Sequence, residues 1–167
     1  MSRFALMAVL LFVLNPPEDL DQLARRGSIQ ENAPVKASVE TTINAAPEKV
    51  WGLLTDVKNW PTWHPGITKA DISGPIQNGT AFTWTSGAEI HSQIALVRPV
   101  QELAWTGTAF GAKAIHVWTL QRLTGERTLV KTTESMDGFL LTLFYSSKKL
   151  QESDQRWLND LKAAAER

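Results

Sequence analysis

The chain contains no cysteine, which excludes disulfide staples, thiolate catalysis and cysteine-ligated zinc. It has no charge excess of either sign: 17 basic residues stand against 17 acidic ones. Net charge therefore points it at neither nucleic acid nor an anionic surface. Tyrosine is scarce, one residue against seven tryptophans. No apolar run reaches the roughly 20 residues of a bilayer span; the run from Phe4 to Leu14 has eleven. There is no internal repeat and no low-complexity tract. A G-x-S-x-G nucleophile elbow is missing, and Ser86-Gly87 reads as a turn. The glycines of Thr106 to Gly111 fall between strands and not before a helix, so they form no phosphate loop. Three histidines, His64, His91 and His116, stand on separate segments at no ligand spacing, and neither metal nor cofactor is expected.

What is present is enough for one domain with an extension. A chain of 167 residues buries about 70% of its unfolded surface and needs no staple. The apolar run at 4–14 follows Arg3 and matches a signal-peptide core in length, although Asn15-Pro16-Pro17 makes a poor cleavage site. Residues 1–14 are expected to be a targeting, anchoring or docking segment and a candidate membrane contact. Residues 15–34 read as a polar linker, with a short helix over 18–26, and residues 35–167 as the domain. The location follows the first segment: cytoplasmic, or exported or anchored if it acts as a target signal.

From Val35 the chain alternates with period two, so Val35, Ala37, Val39, Thr41 and Ile43 share one strand face. Pro47 suits the first position of a helix, and Val50, Trp51 and Leu54 fall on one helical face. Ala46 stands where a capping Ser or Asp is expected, so this start is predicted to be weak. Asp56 and Asn59 suit a break, and Trp60, ahead of Pro61, is expected to be non-helical. Six strand-like segments follow at 67–73, 80–85, 88–98, 102–109, 112–123 and 127–136. Turn residues separate them at hairpin spacing, which predicts an antiparallel meander. After Gly138 the period changes, and Leu143, Leu150, Trp157, Leu158 and Leu161 form one stripe of a long helix running to about 165. An antiparallel sheet with its helices on one face is an α+β layout.

Alternation sorts the side chains. Phe82 and Trp84, then Ile90, Ser92, Ile94 and Leu96, then Leu103, Trp105 and Gly107 share a face. So do Ala114, His116, Trp118 and Leu120, and Val130, Thr132, Glu134 and Met136. This mostly apolar set should face the long helix. Glu89, His91, Gln93, Lys113, Gln121 and Lys131 belong to the other face, which should meet water. Polar groups on the inner face are informative, because burial without a partner is costly. His116 and Glu134 stand level across a hairpin and should pair, either to fix the wall, to touch a ligand or to move a proton. Asp154 lies in the helical stripe with Ser147. It reads either as a carboxylate reaching solvent or Arg156, or as a ligand contact. His64 reads as loop packing, or as a gate beside a pocket mouth. Trp84, Trp105 and Trp118 are either packing or walls on which a flat ligand stacks.

Ala46-Pro47-Glu48-Lys49-Val50-Trp51, Asp56, Trp60-Pro61-x-Trp63, Pro99 with Leu103-x-Trp105, His116-x-Trp118-x-Leu120 and Glu134 with Gly138 together carry a resemblance. The chain from 35 to 165 resembles the SRPBCC superfamily: START-like helix-grip proteins and the polyketide cyclase/dehydrase group. That resemblance implies a helix-grip fold, a seven-stranded antiparallel sheet curved around a long C-terminal helix, with two short helices after the first strand. It also implies an internal pocket for a small hydrophobic or aromatic molecule such as a lipid or polyketide. The candidate ligand-binding residues are Phe82, Trp84, Ile94, Trp105, His116, Trp118, Glu134, Met136, Ser147 and Asp154. Three functions remain open. One is a carrier or sensor. The second is a cyclase/aromatase-type enzyme, in which His116 would act as acid/base, Glu134 would orient it and Asp154 or Ser147 would anchor the substrate. The third is a membrane-tethered interaction module, which an exposed apolar patch near the pocket mouth would favour.

Overall fold

The computed structural model describes residues 19–167; the expectations for residues 1–14 lie outside them. Helix α1 (Leu20–Arg25) precedes strand β1 (Val35–Ile43). Helix α2 (Pro47–Thr55), a 3-10 turn (Val57–Asn59) and helix α3 (Trp60–Trp63) follow. Then come β2 (Lys69–Ile72), β3 (Ala81–Thr85), β4 (Glu89–Arg98), β5 (Glu102–Ala109), β6 (Ala112–Leu123) and β7 (Arg127–Asp137). Helices α4 (Leu141–Phe144) and α5 (Ser147–Ala165) end the chain. The strands form one antiparallel sheet in the order β1-β7-β6-β5-β4-β3-β2. The sheet is thus a meander, with β1 closing beside β7, and α5 lies across its inner face. This is the expected α+β helix-grip arrangement. Among the described residues no helix is long and apolar enough to cross a membrane.

The main core lies between the sheet and α2, α3 and α5. Trp60, Trp105, Trp118, Leu54, Ile94, Leu158 and Leu161 are fully buried in it. Trp60 is its hub. Its ring meets Phe82, Trp84, Trp105 and Trp157 at centroid distances of 5.7, 6.1, 5.8 and 5.1 Å. Its indole N–H donates to Leu54 O at 3.0 Å. That anchoring overrides the local expectation for this residue: Trp60 is helical, with φ −50° and ψ −42°, and opens α3. The bias against helix before proline is weaker than the burial of a whole indole. Trp51, expected on the buried face of α2, is only half-buried. Ala46 makes no side-chain cap, as its methyl requires.

Three further expectations give way to tertiary packing. The stretch read as linker is docked from residue 19 onward. Leu23, Ala24 and Ile29 bury themselves against Ala95, Leu96, Ala104, Ile115 and Val117 on the back of the sheet, making a second core. The back face is therefore not simply solvated. Strict alternation also fails in β4, where the register shifts between Ile94 and Leu96. This bulge turns Leu96 from the inner face to the back. Finally, Leu143 does not join the α5 stripe. It sits on α4, 70% exposed, because the chain breaks at Tyr145 before Ser146 caps α5 through Lys149 N.

Candidate functional site

Between α5 and the β3–β7 half of the sheet lies a cavity of about 690 Å3, within the range of small-molecule sites. Two devices keep it open. Gly107 on β5 has no side chain to fill it; a Cβ there would meet Ser92 Oγ at 3.3 Å and Ile90 Cγ2 at 3.4 Å. Ala112 and Ala114 on β6 are equally small. The apolar walls include Trp84, Ile90, Trp105, Met136, Leu150 and Trp157. Trp84 is fixed by donating its indole N–H to Ser92 Oγ at 3.1 Å. The mouth is framed by the β5–β6 turn at Phe110-Gly111 and by Phe139, Leu140 and Phe144 around α4.

One polar cluster interrupts these walls. His116 on β6 and Glu134 on β7 are register partners, as expected. His116 Nδ1 lies 3.5 Å from Glu134 Oε2, and its Nε2 lies 2.6 Å from Thr132 Oγ1. Its ring packs between Trp105 and Trp118 at centroid distances of 4.7 and 5.1 Å. Burial pushes its pKa down to about 3, so the imidazole is neutral across the physiological range. A neutral ring has one donor and one acceptor nitrogen, and here each faces an oxygen.

Asp154 reaches the same place from α5. It is 1% exposed, so it does not extend to solvent. Its Oδ2 has no hydrogen-bond partner among the described residues. Burial raises its pKa to about 7. Burial, and then the Asp154 charge, also hold Glu134 well above the usual carboxylate range. Two carboxyls crowded into one buried cluster disfavour each other's ionisation, so Glu134 holds its proton more tightly beside the Asp154 charge. Tyr145, the single tyrosine, stands at the cavity edge with its phenol pushed up by burial.

One atom each of His116, Glu134 and Asp154 lies within 4.8 Å of the others. That spacing is compatible with three ligands of one divalent ion, since atoms bonded to zinc at about 2.0–2.2 Å stand roughly 3.4 Å apart and His116 Nδ1 is already 3.5 Å from Glu134 Oε2.

Of the residues read from sequence, Trp84, Trp105, His116, Glu134, Met136 and Asp154 line the cavity. Phe82, Ile94 and Trp118 point inward but are consumed by the core, at most 2% exposed. Ser147 is exposed, and its Oγ accepts from Lys36 N at 3.0 Å, tying α5 to β1 instead of touching the cavity. His64 is no gate. It is buried beside Trp157, and its Nδ1 lies 2.6 Å from Asp160 Oδ2, away from the cavity lining. His91 is solvated, as expected. Sequence reasoning missed Tyr145, Ser153 and the mouth residues. Their signal was present but unpatterned: a lone tyrosine and three phenylalanines in segments without periodicity.

Comparison with known proteins agrees with this architecture. A structure of a hypothetical protein from Helicobacter pylori superposes with a TM-score of 0.74 at 19% identity, covering 93% of this chain and 99% of that one. The ZhuI aromatase/cyclase from Streptomyces sp. R1128 gives 0.65 at 19% identity, covering 79% and 93%. A START superfamily protein from Mycobacterium smegmatis gives 0.65 at 15% identity, covering 78% and 97%. At such identities the likeness is one of fold. No curated protein matches the sequence. A family model does match, over residues 34–166, and the chain belongs to that family: polyketide cyclase / dehydrase and lipid transport.

Proposed function

We propose that the protein binds one small, mainly apolar molecule carrying a hydroxyl or carbonyl oxygen, and acts as its carrier or sensor. The observation that carries this reading is the pairing of an aromatic cavity with a single deep polar cluster. The apolar body of the ligand would lie against Trp84, Trp105 and Trp157, and its oxygen would meet Glu134 and Asp154. A carboxyl pair in which Glu134 holds its proton can donate and accept, so it suits either oxygen type. Membership of a lipid-transport and cyclase family supports the ligand class.

Native mass spectrometry on the full chain, purified without delipidation, tests this. A bound small molecule is expected, and Ala114→Trp, which adds an indole to the cavity wall while keeping His116, Glu134 and Asp154, should remove it. A ligand retained at full occupancy by that variant would place binding elsewhere and sink the reading.

A cyclase-type activity is the second reading, and the carboxyl pair favours it. Here the proton would be handled by Asp154, raised to about 7, and Glu134, raised well above the usual carboxylate range. His116, neutral and held at about 3, would orient Glu134. The earlier assignment of roles is thereby inverted. Turnover of a reactive polyketide chain that is lost in Asp154→Asn but kept in His116→Gln would support this version.

A further inference from the structure

The large hydrophobic side chains left in water are gathered in one place. Among the described residues they are Phe110, Phe139, Leu140, Leu143 and Phe144, from 53% to 97% exposed. All but Leu143 border the cavity mouth, and Leu143 sits among them on α4. Phe110 occupies the tip of a two-residue turn at φ +48°, followed by Gly111 at φ +78°. That backbone favours Asn or Gly and disfavours a bulky ring. Helix α4 buries none of its residues. Local preference and burial thus both oppose these side chains, and a contiguous exposed apolar patch marks an interaction surface.

The charges around the patch indicate what covers it. Lys113 stands beside the mouth, level with Asp137. Lys148 and Lys149 are exposed on the first turn of α5. Neither forms an ion pair among the described residues, and Lys149 Nζ donates to Phe144 O at 3.0 Å within the patch itself. Lys36, joined to α5 at Ser147, is paired with Glu31. On the β3–β4 side Glu89 lies against His91. Among the described residues, Asp137 and Glu152 are unpaired acidic groups nearby, against Lys113, Lys148 and Lys149, so the charge next to α4 is net positive. Aromatic side chains flanked by free lysines suit the boundary of a bilayer, where rings enter below the headgroups and ammonium groups meet anionic lipid. The apolar run at 4–14 behind Arg3 adds a second membrane signal to the same chain.

We propose that the cavity mouth docks on an anionic bilayer. Phe110 enters from one side and Phe139 and Phe144 from the other, so that the cavity opens onto hydrocarbon. This holds whatever the cavity carries, and its test needs no cargo.

The absence of cysteine makes the experiment clean. Single cysteines replace Phe110, Phe139 or, as a control, Glu126 on the β6–β7 turn at the other end of the sheet. Each is labelled on the full chain with an environment-sensitive fluorophore. The chains are mixed with vesicles of phosphatidylcholine alone or with added phosphatidylserine. Labels at 110 and 139 should shift to the blue on anionic vesicles and be quenched by brominated lipid, while the label at 126 stays unchanged. Lys148→Glu with Lys149→Glu should weaken the response about tenfold or more. Vesicle binding with silent labels at 110 and 139 would assign the membrane contact to residues 4–14 alone and overturn the proposal. An equal response on neutral vesicles would overturn its anionic part. Silence on every vesicle would leave the patch to a protein surface and overturn it entirely.

Discussion

Asp154 and His116 give the protein opposite responses to pH. Asp154 titrates at about 7 in the fold against an ordinary value of 3.8. Between those values the native state holds more protons than the unfolded chain, so this contribution to stability falls as pH rises. His116 is held at about 3 against 6.5. The unfolded chain binds the extra proton there, so this contribution falls as pH drops below 6.5. Asp154→Asn removes the first effect, together with the Asp154 charge that helps raise Glu134, and leaves the His116 effect in place. Urea unfolding should find the variant more stable than the parent by roughly 1–3 kcal/mol at pH 8, with the gap closing by about pH 4. A variant less stable at both pH values would mean that the carboxylate is satisfied and carries no burial cost. Val100 offers a second test. It sits after Pro99 in the β4–β5 turn at φ +62°, a conformation strained for a β-branched residue. Val100→Gly should stabilise the protein by about 1 kcal/mol, read as a raised urea midpoint. At this scale the His116–Glu134 pair was legible, because two strands joined by a short hairpin fix which residues are level. Asp154 was seen in the right stripe, but solvent and a ligand both stayed open as its partner, since helical period gives direction and not depth. Tyr145 lies between α4 and α5, where no period exists to place it.

Elements were read best where one period ran unbroken, as in β5, β6 and α5. They were read least well where packing competed with local rules. Helix α2 begins on Ala46, which cannot cap it. Ala46→Asp should therefore raise stability by about 0.5–1 kcal/mol, a gain visible as a higher thermal midpoint. The bulge in β4 left no sequence mark, because Ile94-Ala95-Leu96 is apolar throughout and tolerates either register. Helix α1 did leave one. Leu20, Leu23 and Ala24 recur at i, i+3 and i+4, and the back-face positions Ala104, Ile115 and Val117 are apolar where solvent would favour polar residues. Neither half means much alone; together they describe a docked helix. Gly27 closes it at φ +70°, where an added Cβ would overlap Glu102 Oε1 at 1.9 Å. Leu23→Ala should cost about 2–4 kcal/mol, measured by chemical denaturation.

At the scale of the whole molecule, Leu23, Ala24 and Ile29 join the segment before β1 to the back of the sheet. A chain starting at Val35 should melt on the order of 10 °C lower than one starting at Asp19 and should bind an apolar dye through the uncovered face. Equal melting temperatures would show that the second core is ornamental. The same docking changes what the N-terminal run can do. With residues 19–34 held to the sheet, only residues 15–18 separate Leu14 from the domain. Fully stretched, that leash reaches about 15–18 Å, whereas twenty free residues would reach about 70 Å. Wherever residues 4–14 lodge, the domain is confined to a volume roughly sixty to a hundred times smaller, and its local concentration at that surface rises accordingly.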